Sequence, residues 1–258
     1  MSKRWSNKMR TIYITGLLLI FVAMVIPSVL RYINKPLTCN DGVQNQGETA
    51  IDLGGPCHFL NPADLKPLVH HWARSFEVSP GIYSSVSYIE NPNSSAGVRR
   101  VSYIFKLYDE DGIFITEKKG STFISPGKVV PIFEGNFQVG VRKPLYTKFS
   151  FTEPMIWEKM QSTLSAEVFV VSESFKNEGG QPNLSAEIQN RGVYTLRQLV
   201  VVATLFDTVG NALGSSRTII DRIPADSTKK VVFTWPKSFD DFVAKIDIVP
   251  LLPSVDSL

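Results

Sequence analysis

The chain opens on a long run without charge and continues as short runs in which apolar and polar residues alternate. Residues 11–30 (TIYITGLLLIFVAMVIPSVL) contain no Asp, Glu, Lys or Arg. About 20 residues at about 1.5 Å rise cross a hydrocarbon layer of about 30 Å, so this run predicts a transmembrane helix over 11–32 that contacts membrane lipid. A core helix would carry a polar stripe, and a signal-peptide core is shorter, about 7 to 15 residues, with a small-residue cleavage site. No such site follows Val29, so an uncleaved anchor is the expectation and a cleaved signal the alternative. Either exports the remainder. Pro27 predicts a kink in the last turns.

Beyond the anchor the period changes to two. Val101, Tyr103, Phe105 and Leu107 alternate with polar residues, as do Leu199, Val201, Ala203 and Leu205. Such runs are half-buried strands. They belong to an internal repeat, because Asp109 and Asp207, Gly112 and Gly210, and Pro126 and Pro224 all stand 98 positions apart. On its flanks, Phe76 to Ser79 aligns with Phe169 to Ser172, Ile89 to Asn91 with Ile188 to Asn190, Val129 to Phe133 with Lys230 to Phe233, and Tyr146 to Phe149 with Val243 to Ile246. The tips from Asp109 to Gly112 and Asp207 to Gly210 are hairpin turns, where Gly accepts positive φ and Asp bonds the backbone. The prediction is an all-β chain with two tandem immunoglobulin- or fibronectin-like antiparallel sandwiches, over 61–155 and 166–252. The rest divides into a cytoplasmic basic tail (1–10), a polar spacer (33–60), a linker (156–165) and a C-terminal tail (253–258). Trp157 is expected to be buried at the domain junction.

Leu65, Leu68, Val69, Trp72 and Phe76 have helical spacing behind Asn61-Pro62, a plausible cap and first position. Pro67 would break that helix, so an extended lead into the first strand is expected.

Phe105-Lys106-Leu107-Tyr108-Asp109 is a literal F-x-L-Y-D signature and resembles a family of small exported prokaryotic domains. That family is similar to immunoglobulin-like and fibronectin-like sandwiches and to the β domain of late-embryogenesis and water-stress proteins. In the second copy Ala203 and Phe206 replace the first and fourth signature residues, while Leu205 and Asp207 keep theirs. The resemblance implies a fold and an envelope setting and carries no catalytic residue.

Charge sharpens the topology. Six of the 27 basic residues lie in the first 35 positions, leaving 21 bases against 24 acids in the rest. That remainder is mildly acidic, which argues against nucleic acid as a partner. Lys3, Arg4, Lys8 and Arg10 precede the helix while Arg31 and Lys35 follow it, so the N-terminus is expected in the cytoplasm and the sandwiches outside the membrane. Cys39 and Cys57, a single pair in an exported segment, predict a disulfide.

The loop between these cysteines resembles a motif of exported bacterial proteins, C-x-D-G-x-x-N-x-x-E-T-x-x-D-C-G-G-x-C, with Leu53 where that motif has cysteine. Asp41, Asn45, Glu48 and Asp52 offer oxygens that could converge on calcium. The alternative is a turn-rich spacer whose Asp and Asn side chains bond their own backbone. No cofactor is otherwise implied.

Catalytic patterns are missing. The histidines are His58, His70 and His71, with no G-x-S-x-G elbow, and Gly179-Gly180 lacks the rest of a phosphate loop. His70 and His71 are expected on opposite faces of a strand. The acidic tip from Asp109 to Asp111 reads as a solvated turn. The expectation is a non-enzymatic, anchored structural or interaction protein that presents two sandwiches to an envelope protein, with a ligand or calcium sensor as the alternative.

Overall fold

A computed structural model describes residues 3–33, 39–160, 167–177 and 181–251. It divides into two compact units, Met1–Cys57 and His58–Leu258. The tail 253–258, Gly179-Gly180, Lys35 and the second half of the expected linker (161–165) fall outside the described residues.

The first unit holds α1 (Lys3–Ile33), which runs unbroken through Pro27. The stretch Met9–Arg31 is long and apolar enough to cross a membrane. The helix begins inside the basic segment rather than after it, since Lys, Arg and Met are good helix formers. The loop over 39–57 is a chain of turns closed by the Cys39–Cys57 disulfide, with a Cα separation of 5.5 Å.

The second unit is all-β and antiparallel. After a single 3-10 turn at Pro62–Asp64 the chain is extended. Asn61 and Pro62 do cap that turn, with Asn61 Oδ1 accepting from Ala63 N, and the helix stops there. β1 (Val69–Ser79), β2 (Ile82–Glu90) and β5 (Val129–Gln138) form one sheet in the order β1-β2-β5. β4 (Phe114–Ile124), β3 (Ala96–Tyr108) and β6 (Tyr146–Phe151) form its partner in the order β4-β3-β6, and β7 (Glu158–Lys159) pairs with the start of β3. The second sandwich repeats the plan. Its sheets are β8 (Val168–Lys176), β9 (Asn183–Asn190) and β12 (Ser227–Thr234), and β11 (Ala212–Ile223), β10 (Leu196–Phe206) and β13 (Lys245–Leu251), ordered β8-β9-β12 and β11-β10-β13.

The alternation seen in the sequence is the inward face of each central strand. Tyr103, Phe105 and Leu107 enter the first core; Leu199, Val201, Ala203 and Leu205 enter the second. Both hairpin tips have the anticipated construction. Asp109 Oδ1 accepts from Ile113 N and Asp207 Oδ1 from Asn211 N, while Gly112 and Gly210 sit at φ +74° and +88°.

Strand register keeps the alignment of Ile89 to Asn91 with Ile188 to Asn190 and corrects the other three flanking alignments. His70 faces Ile89 before a bulge, as Val170 faces Ile188 before its own, so β1 and β8 correspond at an offset of 100. Phe76 therefore matches Lys176 and not Phe169. Likewise Ile132 faces Ser87 as Val231 faces Ala186, an offset of 99, and Tyr146 faces Tyr108 as Lys245 faces Phe206, again 99. The hairpins β3-β4 and β10-β11 keep 98. Short apolar strings in neighbouring strands look alike in any register, whereas ladder pairing admits one.

The expected linker also shifts. Trp157 packs with Ala96, Val98, Val101 and Ile124 inside the first sandwich, not at the junction, and Leu60 N donates to Trp157 O. The first sandwich thus extends through β7, because those backbone groups find partners on β3 and on the chain near His58.

Candidate functional site

Three places concentrate unusual chemistry: the cysteine loop, the joint between the sandwiches and a wedge on the open side of the first sandwich.

In the loop, Asp52 Oδ1 and Oδ2 accept from the N–H groups of Asp41 and Gly42, and Glu48 Oε2 accepts from Asn45 N and Asp52 N. Asn45 Nδ2 donates to Asp41 Oδ2 and Val43 N to Asp41 Oδ1. The oxygens of the expected calcium set thus hold the turns by their own backbone. Among the described residues, the His, Cys, Asp and Glu ligand atoms that gather within 4.8 Å are those of Cys39, Glu48 and Cys57. The two sulfurs are bonded to one another, so they offer no thiolate to a metal. Cys57 Sγ lies 3.2 Å from Glu48 Oε1 as a packing contact, a half-cystine having no proton to donate.

Replacing both cysteines by serine is expected to raise proteolysis within 39–57 and leave the sandwiches folded. Closing so short a loop is worth about 3 kcal/mol in the chain-entropy model, and the sandwiches have cores of their own. Limited proteolysis with mass mapping checks this, and added calcium is expected not to change the cleavage pattern.

The joint was not visible from the sequence. Outward-facing residues of β1 and β2 meet outward-facing residues of β10 and β11. Val86, Tyr88, Val202, Phe206 and Ala212 form a buried cluster, with Trp72 packed against it. The Trp72 and Tyr88 rings stack at 4.6 Å, and Phe206 meets both edge-on at 6.1 and 6.2 Å. Polar contacts frame the cluster: Tyr88 donates its hydroxyl to Asp247 Oδ2 at 3.0 Å and Arg74 Nη1 donates to Ala212 O at 2.9 Å.

The repeat shows that this joint is built once. In the second sandwich the counterparts of Trp72, Val86 and Tyr88 are Ser172, Ser185 and Glu187. Ser172 and Glu187 are exposed. An apolar residue on the outward face of one copy, against a polar one in the other, is the sequence signal that would have located it. The signature residues share out accordingly. Phe105, Leu107 and Leu205 fill cores, Asp109 and Asp207 close turns, Tyr108 lies under Lys148 and Phe206 enters the joint.

Burial, then the Asp247 carboxylate, pushes the Tyr88 phenol well above its ordinary 10.0. Burial, then Glu134, does the same to Tyr103. The fold holds both rings neutral, so their contribution is complete below about pH 10 and is lost as pH rises beyond it, where the unfolded phenols ionise. Thermal melts are expected to be level up to that pH and to fall above it, and Tyr88→Phe to blunt the fall.

The wedge lies between the two edge strands β1 and β6. Ser75 Oγ and Thr147 Oγ1 approach to 2.7 Å and close one end. Towards the other end the strands part around a cavity of about 260 Å³ lined by Leu68, His70, Phe149, Phe151, Met155 and Trp157. The adjacent histidines divide there. His70 Nε2 contacts Ser87 Oγ, whereas His71 Nε2 contacts Glu90 Oε2.

No protein-family model matches the sequence, and none of the curated proteins does. Among solved structures, a red sea bream transglutaminase aligns with 72% of this chain and 29% of its own at 8% identity and a TM-score of 0.26. A β-glucuronidase of glycoside hydrolase family 2 aligns with 78% of this chain and 25% of its own at 13% identity and 0.23. A Bacteroides uniformis β-glucuronidase aligns with 68% and 22% at 13% identity and 0.19. The chain spans less than a third of the length of each, and likeness at that level fixes neither fold nor chemistry.

Proposed function

We propose that this chain is a single-pass membrane protein whose helix anchors a rigid pair of β-sandwiches outside the cytoplasmic membrane, where they bind an envelope protein. The observation that carries the reading is the joint. Burying Trp72, Tyr88 and Phe206 between the sandwiches fixes their relative orientation, and a fixed pair of sandwiches is a platform for recognition rather than a flexible tether. The uncharged stretch of α1, the basic residues at the start of that helix and the disulfide beyond it support export of the second unit. The F-x-L-Y-D resemblance points to the same setting.

Crosslinking in intact cells, followed by purification and mass spectrometry, tests this. One envelope protein recovered in near-equal amount is expected. Recovery of this chain alone, or a C-terminal reporter active in the cytoplasm, overturns it.

A further inference from the structure

The cysteine loop holds chemistry that the sandwiches do not use. The sulfurs of Cys39 and Cys57 and a carboxylate oxygen of Glu48 lie within 4.8 Å of one another. Cys57 and Glu48 are both buried, at 1% and 7% exposure. Burying a carboxylate is costly unless each oxygen meets a donor or a cation. Glu48 Oε2 has its donors, the N–H groups of Asn45 and Asp52, both at 3.2 Å. Oε1 instead faces Cys57 Sγ at 3.2 Å, where a half-cystine has no proton to offer. The oxidised loop thus aims a buried acceptor at a sulfur that gains a proton, or a metal, once the disulfide opens.

The shape of the loop does not rest on the disulfide alone. The Asp52 carboxylate accepts from Asp41 N and Gly42 N, which ties the Cys39 end to the middle of the loop. At the other end Thr49 N donates to Leu53 O and Cys57 N to Gly54 O. Gly54 and Gly55 take φ of +75° and +50°, and a Cβ on them would strike the Thr49 side chain and the Gly47 carbonyl, so the turn before Cys57 is closely packed. Such a scaffold keeps both sulfurs beside Glu48 when the bond between them is broken.

We propose that, once Cys39–Cys57 is reduced, this loop binds zinc through the two thiolates and the Glu48 carboxylate, with water in the fourth position. The donor set selects the cation. Two soft sulfurs and one oxygen in a small cluster suit a tetrahedral zinc ion. Calcium takes about six to eight oxygens, and the carboxylates of Asp41 and Asp52 already accept from the backbone. A protein dithiol is the class of reductant. Its first thiolate attacks one sulfur of the disulfide and releases the other, and its second thiol then closes the reductant's own disulfide, so two electrons and two protons pass to the cysteines. Zinc displaces those two protons as it binds. The loop is then closed by sulfur in one redox state and by metal in the other.

The full chain in phosphatidylcholine nanodiscs, reduced with a phosphine and desalted without oxygen, is titrated with cobalt(II) as the spectroscopic probe and then with zinc in competition. One cobalt per chain is expected, with a thiolate-to-cobalt charge-transfer band that zinc bleaches and that the oxidised chain does not give. Zinc-edge X-ray absorption is expected to show two sulfurs at about 2.3 Å and oxygens at about 2.0 to 2.2 Å. Glu48→Gln keeps an oxygen for the N–H groups of Asn45 and Asp52 and is expected to weaken cobalt binding about tenfold or more, a loss that even a carboxylate bonded to a ligand rather than to the metal commonly brings. Return of the disulfide on reoxidation, with the parent cleavage pattern across 39–57, shows that the variant loop has kept its shape. Where it has not, the sulfur and oxygen count of the parent's zinc spectrum decides alone. Four sulfurs per zinc, the mark of an ion shared by two chains, overturn the proposal. So does equal cobalt binding by a correctly shaped Glu48→Gln loop, and so does a reduced chain that binds cobalt no better than the Cys39→Ser, Cys57→Ser variant. Each of these failures leaves the envelope-partner reading standing, since in-cell crosslinking decides that separately.

Discussion

Alanine in place of Phe105 is expected to destabilise the first sandwich by about 4 kcal/mol, within the range for deleting a buried phenyl ring. The side chain is fully buried, and its ring meets Tyr103, Phe137 and Phe149 edge-on at 5.8, 6.3 and 5.0 Å. Removing it leaves a void among other rigid rings that have no room to close in. Urea unfolding followed by tryptophan emission measures the loss, and a cost below about 1 kcal/mol would show that the site repacks. The second copy shows why the residue is not interchangeable. Ala203 occupies the equivalent position, equally buried, and that core is filled instead by Phe233 and Trp235. Ala203→Phe is therefore expected to destabilise as well, by overpacking. The first letter of the signature is a statement about how one core is filled.

Asn190→Ala is expected to cost about 3 kcal/mol, from polar groups left dry. Asn190 is buried, and its Nδ2 lies within donating distance of the carbonyls of Tyr194, Ile223 and Pro224 at 2.8, 3.3 and 3.0 Å. Its Oδ1 accepts from Gly192 N at 3.0 Å. One side chain thus ties the loop after β9 to the end of β11. Asn91 does the same in the first sandwich, donating to the carbonyls of Ala96 and Ser125 and accepting from Asn93 N. Asn190→Asp is expected to be no better, because a carboxylate cannot donate to those carbonyls. Unfolding in urea checks the magnitude, and hydrogen exchange at Gly192 tests the assigned contact. Slow exchange at Gly192 in the alanine variant would show that another group holds the loop.

Asn91 and Asn190 already stand out in the sequence as a repeated pair, yet their role is unreadable there. Alignment marks a position that two copies share, and only the folded chain shows which carbonyls surround it. The other three flanking alignments fail for a related reason. Phe76 aligns with Phe169 by letter, but the bulges after His70 and Val170 fix the true correspondence. A bulge adds a residue without leaving a compositional trace. Trp157 stands just ahead of the second copy, a place that suggests a junction, whereas β7 folds it back into the first sandwich.

What the sequence determined by itself was everything set by local periodicity and chain chemistry. The uncharged run became one continuous helix, the alternating runs became central strands, the Asp and Gly turns became hairpin tips, and the paired cysteines joined. Each of these depends on residues close together in the chain or on a choice with one solution. The tertiary structure alone decided the joint of Trp72, Tyr88 and Phe206 and the wedge between β1 and β6. Both bring together residues far apart in sequence, from strands whose outward faces carry no period of their own. Their existence depends on how two sheets and two sandwiches stack, which is a matter of packing rather than of pattern.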